Sequence, residues 1–284
     1  MVFEKIIQDL PGKPSWDRRT IRDVNPVSRR RKKRQISAPN PAMRLVHERL
    51  VAYLRSTISY SRTYATGSQP GNSSLGNVKR HQKNRWFYLV DLKDAYPSVD
   101  GRKLASVLVS LNRKLHGHES EILEFLRTYC LTDQEGLWPT GLVVGGPASN
   151  DLFEIYAGKL LDEPLGELSR AWGVTYTRYI DDLTFSSPRM PIGKRKRKAI
   201  RAVIEKATLV INHPKSGVYD LRKGPVVITG IGLKLGGDTF LPRFFLRRVR
   251  GFLHQVGRNP EISRAQASGL MGCFYAAKPS NIYT

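Results

Sequence analysis

Cysteine is scarce in this 284-residue chain: Cys130 and Cys273 are the only two, and neither has a CxxC neighbour. That excludes a disulfide framework or a cysteine-rich zinc site as the basis of the fold. Histidine is hardly commoner, at six. Its one close pair, His116 and His118, lies in the polar stretch KLHGHES and reads as a surface loop, because third and fourth metal ligands are missing nearby. No apolar run approaches the roughly 18–20 residues that span a bilayer. The start, MVFEKIIQDLPGK, lacks the basic-then-apolar order of a secretory signal. These absences predict a cytoplasmic protein with no membrane partner. There is no internal repeat and no long low-complexity tract, while an ordinary 40% of residues are hydrophobic, enough for a core.

Acidic residues are also in short supply. Lys and Arg number 47 against 24 Asp and Glu, a net charge of +23. Such an excess points to a polyanionic partner, usually nucleic acid, with strongly salt-dependent binding. Charge alone fits a ribosomal or packaging protein equally well; it names a partner and no reaction. The bases cluster in SRRRKKRQ (28–35), NVKRHQKNR (77–85), GKRKRKAIR (193–201) and PRFFLRRVRGFLHQ (242–255). The third cluster reads as the solvated start of a helix continuing through AVIEKATLVI.

Periodicity places the elements. After a proline-punctuated loop, Met43, Val46, Leu50, Val51 and Leu54 recur at helical spacing. RWFYLVDLKDAY reads as a buried strand ending near Asp91 and Leu92. GRKLASVLVSLNRKL and SEILEFLRTYC read as helices, as does NDLFEIYAGKLLDEPLGELSRAW, with a break or kink at Pro164. TYTRYIDDLTFSS predicts a hairpin with its acidic pair at the turn, and GPVVITGIGLKL a strand or strand pair. This order suggests an α+β fold with an antiparallel sheet.

The acidic pair carries the chemistry. Asp181 and Asp182, adjacent in a strand-rich run, repel each other unless a cation sits against them. DD alone is most simply a polar turn. If the strand ending at Asp91 neighbours the hairpin, three carboxylates meet at one end of a sheet. Magnesium takes such oxygen ligands together with substrate phosphates, and two ions a few ångströms apart suit phosphoryl chemistry.

The flanks sharpen this reading. YIDD followed by LTFS, together with DLKDAYPSV upstream, resembles the palm motifs of reverse transcriptases in order and spacing. RQISAPNPAMRLVHERL resembles their finger segment. NVKRH (77–81), ITG (228–230) and INHPKSGV resemble elements of the retron-type branch, with Val78 where alanine is usual. The resemblance runs from about Arg34 to Gln255. It implies a right-hand polymerase: fingers over 1–86, an antiparallel-sheet palm of ferredoxin or RRM-like type over 87–237, and a short helical thumb over 238–284.

The resemblance also implies roles. Asp91, Asp181 and the Leu92 carbonyl would hold metal, with Asp182 completing the acidic cluster. The metal would be two Mg2+ ions, with Mn2+ as a substitute. Lys215 would protonate the departing pyrophosphate. Arg34 would clamp the triphosphate, with Arg31 and Lys33 as alternatives in the same run. Tyr96 would lie under the incoming sugar and clash with a 2′-hydroxyl, selecting dNTPs; without the motif its ring reads as core packing beside Pro97. Thr140 and Gly141 would flank the nucleotide, the glycine letting backbone approach the base pair. Asn77, His81, Ile228, Thr229, Gly230, Arg247, Arg248 and Arg250 would contact RNA.

Two departures stand out. WPTGLVVGGPASN has Thr140 where the family keeps glutamine and Gly145-Gly146 where it keeps Ser-Pro, and the tail after ITG predicts a minimal thumb. The implied activity is RNA-directed DNA synthesis on a cognate structured non-coding RNA that serves as template and primer and yields an RNA–DNA product. Retron kinship adds antiphage defence with an effector protein. The alternatives are a group II intron-like or other defence-associated reverse transcriptase, and a non-catalytic RNA-binding protein on the same scaffold.

Overall fold

A computed structural model describes residues 3–24, 31–67, 71–132 and 141–258. Helix α1 (Glu4–Ile7) leads into a two-stranded antiparallel hairpin, β1 (Trp16–Val24) with β2 (Arg31–Pro39), in register from Trp16↔Pro39 to Val24↔Arg31. The Asn40 side chain caps α2 (Pro41–Thr57), accepting from the Met43 N–H at 2.8 Å, with Pro41 in the first turn, where its missing N–H costs nothing. The helical stripe seen in the sequence is the face that is buried: Met43, Val46, Leu50 and Leu54. Short α3 (Ser74–Lys79) precedes β3 (Trp86–Lys93), and α4 (Gly101–Leu111), α5 (Glu119–Tyr129) and α6 (Ser149–Ala157) follow.

The expected break at Pro164 takes a specific form. Gly158–Asp162 is a single π-helical turn in which the Glu163 N–H bonds the Gly158 carbonyl, and α7 (Glu163–Ala171) continues beyond it. Proline has no N–H to return to the carbonyl four residues earlier, so the widened turn accommodates the lost bond without ending the helix. It also turns Asp162 inward, where it is buried.

The remaining elements are β4 (Thr175–Tyr179), β5 (Asp182–Ser187), α8 (Lys194–Lys206), β6 (Val210–Ile211), β7 (Gly217–Asp220), β8 (Val226–Ile228), β9 (Ile231–Leu233), β10 (Thr239–Phe240) and α9 (Arg243–Arg258). Strand β3 is the axis of the main sheet. It pairs antiparallel with β5 on one side and with β7 and β6 on the other, while β4 pairs with the outer side of β5. A separate sheet runs β10-β9-β8. Its β8–β9 link is the two-residue turn Thr229-Gly230, with φ of 46° and 86°, as a tight hairpin requires.

Because strand side chains alternate, the main sheet has two faces. Tyr88, Val90, Tyr176, Leu183 and Phe185 join the larger apolar core with the helices. Phe87 and Leu89 meet Val78 of α3 and Ile228, Ile231 and Leu233 in a smaller cluster on the other side. The carboxylates lie at the edge of this second face.

Candidate active site

Asp91 near the end of β3 stands directly opposite Asp182, the first residue of β5, and Asp182 is in turn paired with Tyr179 of β4. Asp181 occupies the hairpin turn with Ile180, and its carbonyl accepts the Leu92 N–H at 3.0 Å. The three acids sit at one end of the sheet, as the sequence implied, with Asp182 on the strand rather than in the turn. Like charges facing across strands are destabilising, and the effect is visible at Asp182. Burial, then Asp181 and Asp91, push its carboxyl up to about 7, with Lys215 opposing.

The turn itself is strained. Ile180 has φ of 58°, a left-handed conformation that a β-branched residue rarely adopts. Arg178, wholly buried on the helix-facing side of β4, donates from Nη1 to the Ile180 carbonyl at 3.1 Å. Its other N–H groups go to Glu154 of α6 at 2.9 Å and to Asp162 at 2.9–3.1 Å, and the Tyr176 hydroxyl donates to Asp162 at 2.8 Å. Sequence reasoning passed over this residue. The signal was a lone base at the same strand parity as the core residue Tyr176.

Around Asp91 the partners are cationic or polar. Lys215 Nζ lies 3.0 Å from one carboxylate oxygen, Asn212 Nδ2 donates to the other at 2.5 Å, and the Asp91 N–H donates to Ser216 Oγ at 3.1 Å. Asn212 and Ser216 were not foreseen, although INHPKSGV contains both. Among the described residues no group of three or more His, Cys, Asp or Glu side chains is gathered into a metal cage. The donor set nonetheless suits a hard cation: mutually repelling carboxylates at the mouth of an open cleft of about 420 Å³ lined by Asp91, Tyr179, Asp182, Lys215, Thr229 and Gly230. Magnesium binds through one or two carboxylates plus substrate phosphates and needs no all-protein cage.

Other expected site residues fall as follows. Tyr96 is half-buried beyond β3, its ring 5.1 Å from that of Phe153 and its hydroxyl donating to Asn150 at 3.2 Å. Gly141 has φ of 86°, and a Cβ there would stand 2.1 Å from the Pro97 carbonyl oxygen, so the close approach it permits is to Pro97. Arg34 lies on β2 in register with Ile21; its side chain, that of Arg248 and all of Thr140 lie outside the described residues. Arg247 and Arg250 are exposed on α9. Leu92 is buried.

Asn77 and His81 depart from expectation. Both are fully buried. His81 bonds Ser186 Oγ at 2.6 Å and Thr177 Oγ1 at 2.8 Å, while Asn77 accepts from Thr177 at 2.6 Å and donates to Thr229 Oγ1 at 3.5 Å. Their polar atoms serve the interior, tying α3 and its following turn to β4, β5 and the Thr229 turn, and present nothing to RNA. Ile228 is likewise buried in the smaller core, and it lines the cleft together with Thr229 and Gly230.

Comparison with known proteins agrees with this arrangement. Residues 21–232 match the family described as reverse transcriptase (RNA-dependent DNA polymerase). The retron Mx65 reverse transcriptase of Myxococcus xanthus is 30% identical over 252 residues, covering 84% of this chain and 57% of that protein. The retron Ec86 reverse transcriptase of Escherichia coli is 28% identical over 214 residues, covering 72% and 61%. The chain thus spans little more than half the length of these relatives. Among solved structures, telomerase from Candida albicans in complex with a fragment of telomeric RNA superposes with a TM-score of 0.54 at 12% identity, over 88% of this chain and 51% of that one, a likeness of fold alone. The chain belongs to the reverse transcriptase family and is of its retron type.

Proposed function

We propose that this chain is an RNA-directed DNA polymerase that copies a cognate structured non-coding RNA from dNTPs. The observation that carries the reading is the pairing of Asp91 with Asp182 across β3 and β5, with Asp181 in the adjoining turn, beside an open cleft. In this reading residues 1–86 act as fingers, 87–237 as the palm and 238–284 as the thumb. Asp91 and Asp181, with the Leu92 carbonyl, hold two divalent ions, magnesium or manganese in its place. Bound metal supplies Lewis acidity for nucleotide addition. Asp182 completes the acidic cluster beside them, and a cation drawn in by the three acids would favour its ionised form. Lys215 rests on Asp91 and exchanges that carboxylate for the triphosphate, where its ammonium is placed to protonate the leaving pyrophosphate. Tyr96, held by Phe153 and Asn150, excludes a 2′-hydroxyl. Thr229 and Gly230 meet the primer strand, while Arg247 and Arg250 follow the duplex backbone. Asn77 and His81 brace the sheet beneath. Membership of an antiphage system with an effector partner belongs to the same proposal and rests on the retron relatives.

The test is extension of oligo-dT on poly-rA with magnesium, together with sequencing of nucleic acid that co-purifies. The expected product is a discrete RNA joined to complementary DNA. Asp181→Asn should abolish extension and leave RNA affinity within about twofold, because the basic surface is untouched. Equal collapse of both would make the carboxylate structural. A wild-type protein that binds RNA and extends nothing would leave only a binding scaffold.

A further inference from the structure

The basic run GKRKRKAIR has no part in the cleft, and its placement is unlike that of an ordinary solvated helix. Helix α8 carries seven bases and one acid, Glu205. Ile200 and Ile204 are buried against the core, and Lys194, Arg197, Lys198 and Arg201 recur at i, i+3, i+4 and i+7, sharing one face. Folding does not call for this arrangement. Like charges repel at these spacings, and the first turn holds cations and no acid at the positive end of the helix dipole. Among the described residues Lys194, Lys198 and Arg201 have no carboxylate partner.

A second observation comes from the sheet. The same four bases and Tyr88 line a cavity of about 370 Å³. Tyr88 is only 7% exposed, and its hydroxyl has no hydrogen-bond partner among the described residues. The Arg197 guanidinium lies 5.9 Å from the centre of its ring. Arg197 and Arg201 both counter the upward push that burial gives the phenol. An O–H donor at the wall of a cavity lined by four cations is chemistry made for a phosphate oxygen.

We propose that the Lys194–Arg201 face of α8, with the Tyr88 hydroxyl, is a phosphate-backbone site that anchors structured RNA outside the polymerase cleft. The proposal rests on the RNA-copying reading and extends it. The bases rise about 10 Å along the helix axis, a span that follows a backbone rather than a single anion. Tyr88 and Asp91 point to opposite faces of β3, so a strand lying in the cleft does not also fill this cavity. The site therefore takes a part of the RNA that is not being copied, a stem recognised by shape and phosphates.

The test uses the full chain carrying Lys194→Gln, Arg197→Gln, Lys198→Gln and Arg201→Gln together, and separately Tyr88→Phe. The probe is a fluorescein-labelled 20-base-pair RNA hairpin, followed by anisotropy across salt concentrations. The fourfold variant should bind at least about tenfold more weakly at 150 mM salt, and its slope of log affinity against log salt should shrink by about 2–3, as the loss of about three phosphate contacts requires. Tyr88→Phe should weaken binding about threefold at unchanged slope. Extension of oligo-dT on poly-rA should stay within twofold of wild type for both. Unchanged hairpin affinity and slope would overturn the proposal. So would extension that falls in step with hairpin affinity, which would put the bases in the substrate path. Loss of binding to phosphatidylglycerol vesicles with hairpin binding intact would instead mark a membrane site. Failure of wild type to extend poly-rA would sink the polymerase reading while the hairpin slopes still decide this one.

Discussion

Replacing Arg178 by methionine removes the one cation from a buried cluster and should cost about 5 kcal/mol. The guanidinium is wholly buried, and all five of its N–H donors are engaged by Glu154, Asp162 and the Ile180 carbonyl. Breaking a buried ion pair from one side costs about 3–5 kcal/mol, because the partner charge is left without compensation. Here two carboxylates lose their partner, which puts the change at the upper end. Against a total stability of about 5–15 kcal/mol the variant should be marginal, and urea unfolding at neutral pH reads it directly. A loss below about 1 kcal/mol would refute the reasoning. Arg178 also fixes the strained Ile180 turn, and a second variant separates the two roles. Arg178→Met with Glu154→Leu, Asp162→Leu and Tyr176→Phe replaces the whole network by apolar volume, and such replacements are often neutral or stabilising. Stability should return, yet primer extension should stay at least about tenfold down, equivalent to about 1.4 kcal/mol, because the carbonyl before Asp181 has lost its anchor. Full recovery of both would leave Arg178 with no positioning role.

Three further perturbations probe other parts of the site. Gly141→Ala drives a methyl group into the Pro97 carbonyl at a left-handed φ, so soluble yield and urea midpoint should fall by the equivalent of about 2–4 kcal/mol; a neutral outcome would mean the loop moves freely. Burial, with a smaller contribution from Arg80, pushes His81 down to about 3 from an unfolded value of 6.5. The unfolded chain therefore binds a proton that the folded one refuses, and stability falls as pH drops through that window. By pH 4.5 the loss is roughly 3 kcal/mol. His81→Asn should reduce the fall in unfolding free energy between pH 7.5 and 4.5, measured by urea titration, by about that amount, and an unaltered pH dependence would place it elsewhere. Tyr96→Val should raise the ratio of ribonucleotide to deoxyribonucleotide incorporation at least about tenfold in single-nucleotide extension, whereas a constant ratio would remove the sugar filter.

What the sequence revealed and what it concealed divide along a physical line. Helices α2, α4 and α5 were legible because their apolar residues repeat at the helical period. Strand β3 was legible because it is a short continuous apolar run, and the β4–β5 hairpin because strand formers flank the local string Asp181-Asp182. The β1–β2 hairpin was not, since RKKRQISAP shows basic charge and no alternation; cross-strand pairing alone makes it a strand. Asn77 and His81 were expected at RNA only because NVKRH resembles a retron-type element, and such a local string carries no information on burial. Nothing within ten residues discloses that Thr177 and Ser186 supply the bonds that let them be buried. Arg178 was hidden for the same reason, its two carboxylates lying 24 and 16 residues upstream on a helix whose π-turn aims one of them inward. Local pattern thus located the acids, whereas the charges and hydrogen bonds that hold them in place are long-range and polar. A variant series confined to the YIDD motif would therefore miss the determinants of its geometry, and substitutions at Glu154, Asp162 and Asn212 should perturb extension as strongly as those beside the turn.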